Sequence, residues 1–189
     1  MTKLNHPVEK LIQIILYKGV EFEVVERPDV IWVGCVAYAS NNTEPPFSDD
    51  DMTLIERYQT LMDISKKDLV NSDWSAAISI NYGFADKPCG IMFAQETYSM
   101  EQDEKYDVFT QSGGLWLRLL NDTNAAALLG KENPAPYEYY SESQIMQTVA
   151  KENGYMPNAD VYVKVEYSCH AEYNTPPHRN YAYIPIVRV

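Results

Sequence analysis

An α+β protein built as a tandem duplication is what this sequence predicts, and three observations carry the expectation. Segments with two-residue alternation, such as Val161–Tyr167, are interleaved with segments whose apolar residues fall at i, i+3 and i+4. The order strand, strand, helix, strand, strand runs twice through the 189 residues. VERPDVIWVG at 25–34 also lies against FTQSGGLWLR at 109–118, which sets Trp32 against Trp116 at an offset of 84 (116 minus 32). The same offset sets Tyr82 against Glu166. Two such modules, about 20–98 and 105–189, are expected to pack about a pseudo-twofold axis and to hold a ligand in the cleft between them.

Taken in order, the chain opens on a predicted N-terminal helix within residues 1–19. Pro7 suits its first turn, Val8, Leu11, Ile12, Ile15 and Leu16 form an apolar stripe, and Gly19 is placed to end it. The helix is expected to dock on the body. Glu21–Glu26 alternates as a strand with Phe22 and Val24 on one face, and Arg27-Pro28-Asp29 reads as a turn. Val30–Ala39 is apolar throughout, as a central strand would be. After a polar loop at 41–47, Ser48 and three aspartates form a capping signature. It opens a helix with Leu54, Ile55, Tyr58, Leu61 and Met62 as its buried stripe, ending near Leu69.

Ser75–Phe84 and Ile91–Tyr98 read as strands joined by the loop Ala85–Gly90. The second half follows. Tyr106–Gln111 is a short strand, Ser112-Gly113-Gly114 a turn and Leu115–Leu120 a strand. Residues 124–129 suggest a short helix and 133–140 an irregular stretch. Ser141, with Gln144 at the capping-box position, opens a helix whose stripe is Ile145, Met146, Val149 and Ala150 and whose end is Gly154. The chain closes on two strands around Thr175-Pro176-Pro177. In the first, Val161, Val163, Val165 and Tyr167 face one way and Tyr162, Lys164 and Glu166 the other. In the second, Tyr181–Ile186, Pro185 predicts an edge or a bulge.

The formal charge of −12 and the lack of a basic stripe argue against duplex DNA as a direct partner. An acidic surface attracts cations, though charge for solubility is the plainer reading. No apolar run reaches the ~18 residues of a membrane span, and the start of the chain lacks the pattern of a secretory leader, so a cytoplasmic protein is expected. Cys35, Cys89 and Cys169 are odd in number without C-x-x-C spacing, which argues against a disulfide framework or structural zinc. Cys169, His170 and His178 match no common ligand spacing, so no metal is expected. Ser112-Gly113-Gly114 lacks the lysine and helix of a phosphate loop, and no cofactor is expected.

Three stretches together resemble the GyrI-like small-molecule-binding domains, which also occur as effector-binding parts of AraC-type and MerR-type regulators. EVVERPDVIWVG is similar to that family's opening strand pair, QSGGLWLRL to its glycine turn and following strand, and VEYS with YAYIPI to its ending. The likeness covers about 20–189, without a helix-turn-helix, as in a stand-alone member, and the stretch 130–140 is longer than the family pattern. The resemblance implies a cleft glutamate that pairs with cationic or electrophilic aromatic ligands. Its match by position is Glu166, with Glu172 the second candidate.

A carboxylate among aromatic rings is poorly solvated and is drawn to a ligand's positive charge or to proton transfer. Trp32, Tyr38, Tyr82, Trp116, Tyr162 and Tyr183 are the candidate rings for such a cleft, and the plainer reading of any one of them is core packing. The resemblance therefore implies a sensor or sequestering protein for hydrophobic cations. An alternative is a hydrolase of strained, cyclopropane-type electrophiles, with Glu166 activating water and Tyr82 protonating the leaving group. A third reading is a protein-interaction module acting on gyrase or a transcription regulator.

Overall fold

The computed structural model describes residues 9–38, 56–61, 64–81, 90–121, 128, 141–158, 160–161, 163–169 and 180–189. The described chain is dominated by one antiparallel sheet of ten strands. The strands are β1 (Lys10–Tyr17), β2 (Val20–Arg27), β3 (Val30–Tyr38), β4 (Trp74–Ile80), β5 (Gly90–Thr97), β6 (Asp107–Gln111), β7 (Gly114–Asn121), β8 (Tyr155–Pro157), β9 (Val163–Cys169) and β10 (Asn180–Arg188). The helix α1 spans Ser141–Glu152, and a shorter helical stretch is described over 56–60.

The strand order is β1-β2-β7-β10-β9-β4-β5-β3-β6, with β8 pairing β10 off this path. Outward from the β9–β4 junction it runs β10, β7, β2 on one side and β5, β3, β6 on the other. β2 precedes β3 in the chain but pairs with β7, and β6 precedes β7 but pairs with β3. β2 and β6 thus each pair with a strand far away in the sequence. The turns behind these strands meet. Gly113 donates its N–H to Asp29 Oδ1 at 2.8 Å, and a Cβ at Gly113 would stand 2.6 Å from the Arg27 carbonyl oxygen, which is why this position is glycine.

The N-terminal helix is corrected to a strand. Residues 10–17 pair with β2, and Lys18 and Gly19, at φ of 50° and 85°, make the two-residue turn of a tight hairpin. Gly19 thus serves a turn rather than a helix end. Three β-branched isoleucines in Lys10–Tyr17 suit a pleated surface better than a helix. A register shift between Leu11 and Gln13 brings Leu11 onto the same face as Ile14 and Leu16. These three are 50%, 52% and 74% exposed, while Ile15 between them is 5% exposed.

The helix expected to run to near Leu69 stops earlier. Leu61 is a turn residue, and Leu69 already makes a bridge to Thr97. Pro185 is corrected as well, because β10 lies inside the sheet. The carbonyl of Pro185 accepts the N–H of Asn158 at 3.0 Å. Its N–H would face the same side, where β9 pairing has ended at Val165 and β8 pairing starts at Ile186. Proline thus costs no ladder bond there. The segments expected at 41–55, 82–89, 124–127, 129–140 and 170–179 lie outside the described residues.

The two faces of the sheet have different covers. On one, α1 supplies Ile145, Met146, Val149 and Ala150 to a core with Phe22, Val24, Leu117, Leu119 and Ala182. At the other end of that face Leu61 packs with Val33, Cys35, Ile91 and Tyr106. The second face gathers Trp32, Trp116, Tyr181, Tyr183, Ile78 and Met92. This face curls inward. Five strand steps separate β2 from β5, about 24 Å in a flat sheet, yet Arg27 of β2 reaches Glu96 of β5 at 3.4 Å.

Candidate functional site

One cross-strand row on the helix-covered face runs Cys35–Phe93–Ala77–Glu166–Ala182–Leu119–Phe22. Its two ends belong to the two helix-covered cores, one with Cys35 and the other with Leu119 and Phe22. The middle is different. The β4 residues on this face are Ser75, Ala77 and Ser79, small and only half-buried, whereas Ala76, Ile78 and Ile80 on the inner face are buried. Small, half-buried residues of β4 therefore lie in register between the two cores. Glu166 occupies the register position opposite Ala77 and is the one acid in that row. At the Phe93 end of the row stands Tyr58, whose ring lies 6.3 Å from that of Phe93.

The rings singled out from the sequence do not gather there. Trp32, Trp116 and Tyr183 are completely buried on the inner face, the opposite side of the sheet from the Glu166 row. Tyr38 is 52% exposed at the end of β3 and lies against Gly90. Tyr82, Tyr162 and Glu172 lie outside the described residues, as do His170, His178 and Cys89. The plainer reading, core packing, describes the two tryptophans. Each is the third residue of its strand, β3 or β7, and Trp32 donates its indole N–H to Gln111 Oε1 at 3.0 Å.

The inner face also holds a charged network that sequence reasoning missed. Arg27 Nε stands 2.9 Å from Glu9 Oε1, and Arg118 Nη1 is 2.6 Å from Glu9 Oε2. Arg118 Nε donates to Glu23 Oε2 at 2.7 Å. The guanidinium of Arg27 lies over the Tyr183 ring at 4.8 Å and the Trp116 ring at 5.9 Å. Burial pushes the Tyr183 phenol up, with Glu9 adding to it and Arg118 and Arg27 opposing. Burial works against the charged form of Arg118, but Tyr183, Glu9 and Glu23 outweigh it and hold the group firmly cationic. Such charges persist in a core only when paired. A signal was present in the sequence: in Gly114–Asn121, Arg118 falls two residues after Trp116, a charge on an apolar face.

Around Cys35 a second polar cluster forms. Asp107 Oδ2 accepts the Val36 N–H at 2.9 Å and pairs with Arg57 at 3.1 Å. Burial pushes the Cys35 thiol up. Burial likewise raises Tyr58, to about 12, with Tyr106 and Cys35 adding to the effect. Among the described residues no group of three or more His, Cys, Asp or Glu side chains is placed to hold a metal ion. No helix of the described residues is long and apolar enough to cross a membrane.

The fold is the GyrI-like one. The structure resembles SAV2435 bound to tetraphenylphosphonium at a TM-score of 0.56, with 13% identity over 89% of this chain and 94% of that one. It also resembles the EcmrR C-terminal domain, at 0.57 and 12% identity over 90% and 99% of the two chains. A transcription regulation protein from Staphylococcus aureus MU50 matches at 0.55 and 12% over 89% and 99%. No protein-family model matches the sequence, and no curated protein matches it in sequence.

Proposed function

We propose that this protein binds hydrophobic cations on the helix-covered face of its sheet, with Glu166 as the charge complement. The observation that carries the reading is the cross-strand row in which Glu166 stands between two cores, beside the half-buried Ser75, Ala77 and Ser79. Phe93 and Ala182 are three strand steps apart, about 14 Å, room for a ligand of several linked rings. The bound tetraphenylphosphonium in the SAV2435 structure supports a ligand of this type, a large organic cation. The formal charge of −12 favours its approach.

The tandem duplication is part of this proposal, and the register supports it. A shift of 84 carries Arg27 onto Gln111 and Trp32 onto Trp116. Beyond the first-half helical stretch a shift of 89 preserves the ladders: the pair Ala76–Ala94 becomes Val165–Tyr183 (76 and 94 each plus 89). Using both shifts, the pair Trp32–Glu96 becomes Trp116–Pro185. Under the second shift the counterpart of Glu166 is Ala77, its own cross-strand partner, instead of Tyr82. The pseudo-twofold axis then passes through the Ala77–Glu166 pair. A site on such an axis is used once per molecule, and the duplication has placed an acid on one side of it and a methyl group on the other.

Calorimetric titration with tetraphenylphosphonium and with triphenylphosphine oxide, an uncharged analogue, tests the reading. The cation is expected to bind and the neutral compound to bind much more weakly. Equal binding of the two would remove the role of charge. The hydrolase alternative separates in the same system: it requires Glu166→Gln to abolish turnover of an electrophile while leaving binding in place.

A further inference from the structure

β1 is one end of the sheet. Among the described residues it pairs with β2 on one side and with no strand on the other. The hairpin decides which backbone groups face that open side. Tyr17 and Val20 flank the two-residue turn, so their N–H and C=O groups bond to each other. Alternation then turns the groups of Ile15 and Gln13 to β2 and those of Leu16 and Ile14 outward. The side chains of Leu16 and Ile14 are themselves apolar and more than half exposed.

Sheet edges are ordinarily guarded by charge, often by lysine. Here the polar side chains of β1 and its turn are drawn back onto their own protein. Lys10 Nζ lies 4.0 Å from Glu26, Lys18 Nζ lies over the Tyr17 ring at 5.1 Å, and Gln13 Oε1 accepts the Tyr155 hydroxyl at 2.8 Å. The run 11–17 carries no charge. The other end of the sheet differs. β6 has five residues to the eight of β1, and it opens on Asp107, which pairs with Arg57 at 3.1 Å.

We propose that β1 pairs antiparallel with β1 of a second copy across a twofold axis, joining the two sheets into one. Three registers bring the outward groups of Ile14 and Leu16 into pairing, and the side chains choose among them. Ile14 against Ile14 brings Lys10 towards Lys18 of the second copy, a like-charge contact. Leu16 against Leu16 sets Ile14 against Lys18. Ile14 against Leu16 sets Ile15 against Ile15 and Gln13 against Tyr17, with no charge in the paired run. This last register makes the strand its own complement, and each substitution acts on both sides of the axis. The interface is small, in the weak class below about 1,200 Å2, so the dimer forms reversibly with concentration. The formal charge of −12 on each copy opposes it, and added salt strengthens it.

The test is sedimentation equilibrium of the full chain from about 10 μM to about 500 μM, a range suited to a weak interface. The mass of the parent should climb towards twice that of the monomer, and further at higher salt. Ile14→Pro removes one outward N–H and none of the bonds to β2. With folding checked by circular dichroism, it should stay monomeric, whereas Ile14→Val should associate as the parent does. Ile14→Lys should weaken association at least tenfold. Amide exchange reads the strand directly: Ile14 and Leu16 should become protected as concentration rises, while Gln13, Ile15 and Tyr17 are protected throughout. A parent that is monomeric at the highest concentration overturns the proposal, and capture of an added extended peptide by that monomer would assign the edge to a foreign strand. A dimer in which folded Ile14→Pro associates like the parent, or in which Ile14 and Leu16 gain no protection, overturns it as well. Cation binding through Glu166 is a separate property, so the two results fail independently.

Discussion

Replacing Arg27 by methionine tests whether the inner charged network closes the curled sheet. The Arg27 side chain is fully buried and meets Glu9 at 2.9 Å and Glu96 at 3.4 Å; those two side chains are 3% and 8% exposed. Glu9 keeps Arg118 at 2.6 Å when Arg27 is removed. The substitution takes a guanidinium away from Glu9 and Glu96, while Arg118 stays beside Glu9 and Glu23. Removing one partner of a buried pair costs about 3–5 kcal/mol. For a chain of 189 residues that is a fall in Tm of roughly 6–20 °C at about 2–4 °C per kcal/mol.

Adding Glu96→Gln should recover part of the loss, because it removes a buried carboxylate that Arg27 meets. Urea titrations followed by circular dichroism read both effects. A deficit under about 1 kcal/mol would refute the view that Arg27 balances buried charge.

Two further perturbations address the fold. Ile15→Ala should cost about 2–4 kcal/mol and Leu16→Lys less than about 0.5 kcal/mol by urea titration, since one side chain is 5% and the other 74% exposed; similar losses would contradict a half-exposed edge strand. Gly34→Ala should destabilise by more than the ~1–3 kcal/mol of ordinary overpacking, because a Cβ there would stand 1.9 Å from the Phe93 carbonyl oxygen, and a variant with parental Tm would deny that close approach.

The extended segments were legible because alternation survives in a sheet with two distinct covers. Trp32 and Trp116 came out at matching places in β3 and β7 because an IWV or LWL triplet fixes a strand and its face. The first strand was not legible. Leu11, Ile12, Ile15 and Leu16 satisfy helical spacing, and only pairing to β2 and the Lys18-Gly19 turn decide the matter. β8 is three residues long and exists by virtue of its partner Ile186–Arg188, which no local pattern announces.

At the site, the sequence showed that Glu166 lies on the opposite face from Val163 and Val165, and the register agrees. It could not show that Trp32 and Trp116 lie across the sheet from that row, since the relative facing of two strands depends on long-range register. Nor could it show Arg27 reaching Glu96, a contact made by the curl of the sheet.

The central claim is that the carboxylate at 166 supplies the charge that holds a cation on the helix-covered face. Fluorescence titration of the parent and of Glu166→Gln with tetraphenylphosphonium measures it most directly, with triphenylphosphine oxide as the neutral control. Truncating one member of a desolvated charge pair costs about 2–5 kcal/mol, so the variant should bind the cation roughly 30- to 5,000-fold more weakly. Its affinity for the neutral compound should change less than about threefold. Parental affinity for the cation in Glu166→Gln would contradict the account, and an equal loss for both ligands would show that Glu166 shapes the site without supplying its charge.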